Sequence, residues 1–274
     1  MSRTLMHLGA VSTPPCFENP AEAWPPFEQA VREAARKGAE LIVAPEDCFL
    51  GMRRDPPPEE VAMLRERSEE VPAGPLAQRS ADLAAQLGTH LIVGLNERSP
   101  EGLHKTAAVF GPDGHLLGRH RKVVLSPEPG VREDRVFVPG DSFRVFRLPP
   151  ARVGVMICYE RRLPEVARVL TRQGADIIAC PSAGISDMDI RRLSTRAEEN
   201  GVFLVLASPF GSAVFGPDGS ILAEARRDPD DPPGATVVAI DLAERERSPC
   251  RRMRYFESLT RHDSALHRRQ SPDD

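Results

Sequence analysis

One cysteine in this chain stands where a reactive thiol would be useful. Cys158 ends an apolar segment that begins at Arg152, and the polar cluster 159–162 follows it directly. The pattern then predicts a helix from Leu163. A strand that ends at a sharp turn before a helix brings its last side chain to the rim of an α/β sheet, where ligands bind. The thiol of Cys158 is therefore predicted to lie at a ligand-binding edge.

Two further ionisable residues follow predicted strands. Glu46 comes after the apolar segment 41–45, and Lys122 ends the segment 115–122. A cysteine is a good nucleophile only as its thiolate, so a catalytic cysteine needs a base or a positive field beside it. A carboxylate in a dry site can serve as that base, and an ammonium group can stabilise an oxyanion. Glu46, Lys122 and Cys158 together suffice for covalent acyl transfer.

Each of these residues also has an ordinary structural interpretation. Cysteines in apolar segments are often buried hydrophobic residues, glutamates after strands often start helices, and lysines after hairpins are usually solvated. A histidine base is not favoured, because none of the seven histidines follows a buried strand as Glu46 does. His120, two residues before Lys122, is the best histidine candidate. The joint occurrence of the acid, the lysine and the cysteine favours the catalytic interpretation.

The composition excludes several other classes of protein. The chain has 274 residues, 41% of them hydrophobic, which suits one large α/β domain or two smaller ones. A formal net charge of -4 gives no electrostatic reason to expect nucleic-acid binding. Five cysteines without a CxxC pair predict neither a disulfide framework nor a zinc site. Since neither a secretory leader nor a membrane-length apolar segment is evident, we expect a cytoplasmic protein without membrane attachment. The chain also lacks the glycine-rich loops of nucleotide-binding α/β proteins.

Short apolar strands alternate with amphipathic helices along the chain. The predicted strands cover residues 5–11, 41–45, 90–94, 106–110, 115–119, 143–148, 153–158, 175–180 and 202–207. The predicted helices cover residues 21–37, 75–87, 163–173 and 190–200.

The two halves of the chain resemble each other. Segment 37–45 is similar to segment 173–181, and segment 108–114 is similar to segment 213–219. The order of the elements is preserved between the halves, whereas their spacing is not. Two copies are too few for a solenoid, so we expect two similar sheet-plus-helix layers packed face to face.

Four segments resemble the motifs of the carbon–nitrogen hydrolase family, also called the nitrilase superfamily. Segment 41–46 is similar to the apolar strand and Pro-Glu pair that carry the family's base. Segment 114–122 resembles the "Gly…Tyr-Arg-Lys" motif, and segment 154–165 resembles the "Gly-x-x-Ile-Cys-Tyr-Asp-x-x-Phe-Pro-Glu" elbow. Segment 196–200 matches the family's "Arg-Ala-x-Glu-Asn" helix.

The resemblance implies an α/β fold, a four-layer α-β-β-α sandwich of two stacked mixed sheets flanked by helices. It implies a Glu-Lys-Cys triad that uses no metal or other cofactor, and a homodimer or higher homo-oligomer. A second glutamate precedes the cysteine in many members; Glu133 fits that segment, and Glu128 is a competing candidate. We expect one catalytic domain over residues 1–242. The arginine-rich arm 243–274 then either packs in an oligomer or is partly disordered.

The function expected from the resemblance is hydrolysis of a small amide or N-carbamoyl compound through a cysteine thioester. Lys122 and the backbone N–H of Tyr159 would hold the oxyanion, and Arg161 or Arg162 could reach a substrate carboxylate. Two alternatives stay open: a nitrilase acting on a nitrile, and a catalytically silent binding or assembly subunit.

Some residues depart from the family's motifs and leave the substrate undefined. Glu160 stands where amidase-like members carry aspartate, and residues 104–106 replace the usual Tyr-Asn-Thr. These departures concern the surroundings of the triad and not the triad itself.

Overall fold

The computed structural model describes residues 4–53, 56–228 and 230–248. The strands are β1 (Leu5–Ser12), β2 (Leu41–Val43), β3 (His90–Ser99), β4 (Gly102–Phe110), β5 (Leu116–Arg121), β6 (Val145–Leu148), β7 (Ala151–Val155), β8 (Ile177–Pro181), β9 (Phe203–Ser208), β10 (Gly211–Phe215), β11 (Ile221–Arg226) and β12 (Gly234–Asp241). The helices are α1 (Pro20–Arg36), α2 (Pro58–Arg67), α3 (Pro75–Leu87), α4 (Pro164–Arg172), α5 (Asp187–Asn200) and α6 (Glu244–Arg247).

Local sequence signals explain where the long helices begin and end. The Asn19 side chain accepts a hydrogen bond from the Ala21 N–H at the start of α1. The Ser186 hydroxyl likewise accepts from the Asp189 N–H at the start of α5. Such side chains satisfy backbone donors that the first helical turn leaves unpaired. Helix α5 ends at Gly201, whose φ of 58° is a left-handed conformation that glycine adopts without a steric penalty.

The strands form two six-stranded sheets with the same internal pattern. The first sheet has the order β12-β1-β2-β3-β4-β5, and the second has the order β6-β7-β8-β9-β10-β11. In each sheet the second, third and fourth strands of that order are parallel, and the outer strands pair antiparallel. The expected pair of mixed sheets is confirmed.

The strand registers relate the two halves residue by residue. Val43 of β2 pairs with Ile92 of β3, and Ala179 of β8 pairs with Val205 of β9. We call two residues equivalent when they occupy the same register position in the two sheets. By this definition the repeated segments 37–45 and 173–181 of the sequence coincide in the fold.

Three apolar cores separate four layers. Side chains of both sheets, such as Leu8, Val43 and Val155, fill the central core, where the sheets meet. Helices α1 and α3 cover the outer face of the first sheet, with Phe27 in that core. Helices α4 and α5 cover the second sheet, with Leu193 in the third core. Burial of these faces on both sides of each sheet is the main stabilising contribution, and it yields the α-β-β-α sandwich.

The first residues of the predicted C-terminal arm pack on the body of the protein. Arg245 of α6 is buried, and its guanidinium donates to the carbonyls of Ala175 and Gly201 and pairs with Asp176. The remainder of the arm, from residue 249 onward, lies outside the described residues. The boundary at residue 242 stays a prediction.

Candidate active site

The chain segments that follow β2, β5 and β7 converge at one edge of the sandwich. Glu46 follows β2 through Pro45, and its backbone N–H donates to the carbonyl of Ser182, which follows β8, over 3.3 Å. Lys122 follows β5 directly, and its N–H donates to the carbonyl of Lys105 over 2.8 Å. Parallel strands bring their carboxyl ends to the same edge, so these loops meet although they are distant in sequence.

The predicted acid, lysine and cysteine lie together at this edge. The Lys122 ammonium donates to Glu46 Oε1 over 2.8 Å, and both residues are at most 2% exposed. The Cys158 thiol lies close enough to the Glu46 carboxylate for each group to shift the pKa of the other. The same carboxylate therefore neighbours the thiol and binds the ammonium group.

Of the two candidate second glutamates, Glu133 contacts the lysine. Its carboxylate lies 2.9 Å from the Lys122 ammonium and also accepts the Ser126 N–H over 2.7 Å. Glu128 instead forms an ion pair with Arg162 near the protein surface. The cluster of Glu46, Lys122 and Glu133 therefore contains one ammonium between two carboxylates.

Cys158 sits at a strained turn. Strand β7 ends at Val155, and a 3₁₀ turn over Cys158–Arg162 begins at the cysteine, whose φ is 46°. A positive φ is uncommon for a residue with a side chain, and such strain is concentrated at functional sites. Tyr159, whose N–H is the predicted oxyanion donor, is the second residue of this turn.

The charges of the cluster shift its acid–base equilibria. Burial opposes ionisation of Glu46, but the charges of Lys122 and Lys105 outweigh it and hold the pKa of this carboxyl well below its ordinary value. Burial and the charge of Glu46 raise the pKa of the Cys158 thiol, while Arg161 and Lys122 act to lower it. Lys122 is buried, yet the neighbouring negative charges raise its pKa. The resting site therefore holds a carboxylate, an ammonium ion and a neutral thiol.

Residues 8–249 match the carbon-nitrogen hydrolase family. The chain belongs to this family. It is 34% identical over 252 residues to an omega-amidase of Xenopus tropicalis, with 82% of this chain and 86% of the relative covered. It is 33% identical over 208 residues to a nitrilase of Pyrococcus abyssi, covering 76% of each.

Solved structures agree with the fold. A cysteine-to-alanine mutant of the Nesterenkonia AN1 amidase, from the nitrilase superfamily, superposes with a TM-score of 0.76 at 25% identity. It covers 95% of this chain and 98% of the amidase. The Nit3 protein of Saccharomyces cerevisiae, also of that superfamily, superposes with a TM-score of 0.74 at 22% identity. The superposition covers 90% of this chain and 95% of Nit3. The predicted nitrilase-like sandwich is confirmed.

This carbon–nitrogen hydrolase carries a second buried ion pair beside the first. The Lys105 ammonium donates to both carboxylate oxygens of Asp47, over 2.7 and 2.5 Å, and lies 4.8 Å from the Phe137 ring centroid. Burial raises the pKa of Asp47 to about 6, because it outweighs the opposing charge of Lys105. Lys105 belongs to the segment 104–106, which departs from the family's motif, but the sequence does not show that it pairs with Asp47, the neighbour of Glu46 in the chain.

Glu160 connects the lysine segment to the cysteine turn. Its carboxylate accepts the Ile157 N–H over 2.6 Å, the Val123 N–H over 2.7 Å and a hydrogen bond from His120 Nε2 over 3.0 Å. Both His120 and Glu160 are fully buried. His120, the best histidine candidate for a base, is thus engaged with Glu160, whose other contacts flank Lys122 and Cys158.

Arg161 and Arg162 both have partners within the protein. Arg162 pairs with Glu128, and its guanidinium lies 5.2 Å from the Tyr159 ring centroid. Arg161 is buried and donates to the Cys158 sulfur over 3.2 Å. The contact with sulfur was not predicted, because the sequence indicates only that the arginine follows the cysteine.

Within the described residues, no group of three His, Cys, Asp or Glu side chains is arranged to hold a metal ion. None of the helices in those ranges is long and apolar enough to span a bilayer.

Proposed function

We propose that this carbon–nitrogen hydrolase cleaves a small-molecule amide or N-carbamoyl bond through a thioester on Cys158 and releases ammonia or an amine. The single observation that carries the proposal is the position of one buried carboxylate, Glu46, which accepts a hydrogen bond from the Lys122 ammonium and lies close enough to the Cys158 thiol to shift its pKa. The omega-amidase among its relatives and the amidase among its structural neighbours support an amide as the substrate.

The first half of the proposed reaction forms the thioester. Glu46 accepts the Cys158 proton while the sulfur attacks the carbonyl carbon of the substrate. The Lys122 ammonium and the Tyr159 N–H stabilise the oxyanion, since preorganised donors act strongly in a dry site. Glu46 then gives its proton to the nitrogen of the leaving group, and the carbon–nitrogen bond breaks.

The second half hydrolyses the thioester. Glu46 is again a carboxylate after the amine leaves, so it can accept a proton from the attacking water. The tetrahedral intermediate then collapses, the carbon–sulfur bond breaks, and the thiol regains a proton from Glu46. Glu133 also accepts a hydrogen bond from the Lys122 ammonium, over 2.9 Å, so we assign it the role of positioning the lysine.

The assembly and location of the protein remain proposals of the same kind. We propose a homodimer or higher homo-oligomer, which light scattering on the purified full chain would test. A cytoplasmic location is supported by the free thiols of Cys16, Cys48, Cys158 and Cys180 among the described cysteines.

A substrate panel tests the reaction. The full-length protein is mixed separately with small primary amides, N-carbamoyl amino acids and aliphatic nitriles, and ammonia and acid products are measured. Turnover of an amide or N-carbamoyl compound, and its loss in Cys158→Ala, is the expected result. Turnover of nitriles alone would contradict the amide assignment. Absence of turnover with every class would favour a silent subunit.

A further inference from the structure

Arg161 is a buried cation that contacts the reacting sulfur and has no role in the Glu46–Lys122–Cys158 scheme. Its Nη1 donates to Cys158 Sγ over 3.2 Å and to Ser182 Oγ over 2.8 Å, and only 5% of the residue is exposed. A guanidinium stays protonated throughout the pH range in which proteins are folded. Its charge therefore acts on the sulfur at every pH at which the enzyme could work.

Contacts from two other elements hold this guanidinium in place. Arg161 Nε donates over 2.9 Å to Oδ1 of Asp189, in the first turn of α5. The second carboxylate oxygen of Asp189 accepts from the Ser186 hydroxyl over 2.7 Å. Ser182, which follows β8, is itself oriented because its hydroxyl donates to the Gly184 carbonyl over 2.8 Å. The planar guanidinium can donate at once to the Cys158 sulfur, to Asp189 Oδ1 and to Ser182 Oγ. A lysine ammonium could not make all three contacts in the same geometry.

In the resting site the thiol of Cys158 holds its proton more tightly than Glu46 would, and a cation beside the sulfur reduces this difference. The pKa of the Glu46 carboxyl lies below its ordinary value, whereas burial and the Glu46 charge raise the pKa of the Cys158 thiol. Transfer of the thiol proton to Glu46 is therefore unfavourable in the free enzyme. A hydrogen bond from a guanidinium is stronger to a thiolate than to a thiol, because one partner gains a full charge.

We propose that Arg161 is a catalytic residue that stabilises negative charge on the Cys158 sulfur; this inference rests on the proposed function. As the thiol proton moves to Glu46, the Nη1–H···S contact becomes a stronger hydrogen bond, because both the guanidinium and the thiolate now carry a charge. The sulfur electron pair then forms the bond to the acyl carbon, and the carbonyl π pair moves onto oxygen. Arg161 keeps its protons throughout, and it acts again when the sulfur leaves during thioester hydrolysis.

The test measures the sulfur with a reagent that is not an amide. Alkylation of Cys158 by 2-iodoethanol is followed across pH in the full-length protein, with the Cys158 peptide quantified by mass spectrometry. We compare Arg161→Met with Arg192→Met as the matched control. Arg192 also donates to Asp189, over 3.4 Å, and it belongs to α5 rather than to the cysteine turn. The control therefore alters the surroundings of the same carboxylate and leaves the sulfur contact in place.

The expected result is a higher pH midpoint for alkylation in Arg161→Met, with a rate near neutral pH that is about 10- to 100-fold lower, as the loss of one charged hydrogen bond implies. Arg192→Met should keep the wild-type midpoint. A folded Arg161→Met variant with the wild-type midpoint would overturn the proposal. If that variant does not fold, Arg161→Gln, which keeps a polar side chain beside Asp189 and Ser182 but carries no charge, replaces it. An unchanged midpoint there would overturn the proposal equally.

The two proposals fail in different ways. If the wild-type enzyme hydrolyses neither amides nor N-carbamoyl compounds, the proposed function fails while the alkylation profile still reports on the Arg161–sulfur contact. If the wild type hydrolyses amides and Arg161→Met retains both its turnover and its alkylation midpoint, only the role of Arg161 fails.

Discussion

The two halves of the molecule share one scaffold but carry different side chains at its equivalent positions. The strand registers, extended to the residues just after each strand, define these pairs. The pairs, with the residue of the first half named first, are Thr13 and Cys158, Glu46 and Ser182, and Lys122 and Arg227. The first half thus carries the carboxylate and the ammonium group, and the second half carries the thiol.

The comparison shows how a duplicated fold can produce one site instead of two. The equivalent residues Glu46 and Ser182 contact each other through the Glu46 N–H and the Ser182 carbonyl, so the two loops lie side by side. Duplication places the loops near one another, and the chemistry depends on which half carries which side chain.

Replacing the nucleophile should have the largest effect. Cys158→Ala removes the sulfur, so we expect a loss of at least about 10⁴-fold in kcat, as for removal of other covalent nucleophiles. Cys180→Ala is the control, because Cys180 is a buried thiol in β8 and its equivalent in the first half is Ala44. Steady-state ammonia release measures both. Comparable losses in the two variants would contradict the assignment of the nucleophile.

Replacing the lysine should have the next largest effect. Lys122→Met removes a buried oxyanion donor, which should lower kcat by about 10²–10³-fold. Arg227→Met changes the equivalent residue of the second half, whose guanidinium donates to the carbonyls of Pro209 and Asp231. We expect near-wild-type turnover from this control. Equal effects would show that the two halves are not divided as proposed.

Replacing each of the two candidate glutamates should affect turnover differently, as measured by steady-state ammonia release. Glu133→Gln weakens the contact that holds the Lys122 ammonium, and the loss of a charged hydrogen bond predicts a decrease of about 10- to 100-fold in kcat/KM. Glu128→Gln affects a surface ion pair with Arg162, which contributes little. A larger effect in the Glu128 variant would reverse the assignment.

Gly94 should tolerate no side chain, although its equivalent in the second half is Ala207. A Cβ at Gly94 would collide with the backbone carbonyls of Pro45 and Glu46. Gly94→Ala should therefore reduce the free energy of unfolding by about 1–3 kcal/mol and displace Glu46. Ala207→Gly should destabilise by only about 0.5–1 kcal/mol. Chemical denaturation measures both variants, and equal stabilities would contradict the tight packing of the Glu46 loop.

The smallest expected effect concerns pH. Burial raises the pKa of Asp47 to about 6. When Asp47 ionises, it adds a negative charge beside Glu46, and this charge makes Glu46 a stronger base. kcat/KM should therefore increase as pH rises through about 6, by roughly tenfold or less. Asp47→Asn should remove this step from the pH profile. An unchanged step would assign it to another group.

Much of the fold follows from sequence because its signals are local. Apolar segments bounded by glycine and proline predicted β2, β3, β8 and β9, and the repeated segments predicted the stacked layers. Helix α2 escaped prediction because it buries only Glu60 and Leu64 and so has little amphipathic pattern. Strand β12 also escaped, since its half-buried residues lack alternation and it forms by pairing with the distant β1.

Part of the site could be predicted because local sequence signals mark the strands that carry it. Glu46, Lys122 and Cys158 each follow a recognisable strand, so their meeting could be expected from topology, while their catalytic roles stay predictions. Arg161 donates to Asp189 and Ser182, which come from other segments of the chain. Only the three-dimensional arrangement therefore shows that the guanidinium is held against the Cys158 sulfur. The predicted strand to residue 158 was too long, because β7 ends at Val155 and Cys158 begins the turn.

Rapid-quench mass spectrometry of the acyl-enzyme, with a substrate that the panel identifies, tests whether Cys158 is the nucleophile and Glu46 its base. We expect a thioester on the Cys158 peptide in the wild type and no detectable thioester in Glu46→Gln, because that variant lacks the base. A thioester on another cysteine, or one that forms at the wild-type rate in Glu46→Gln, would contradict these two roles.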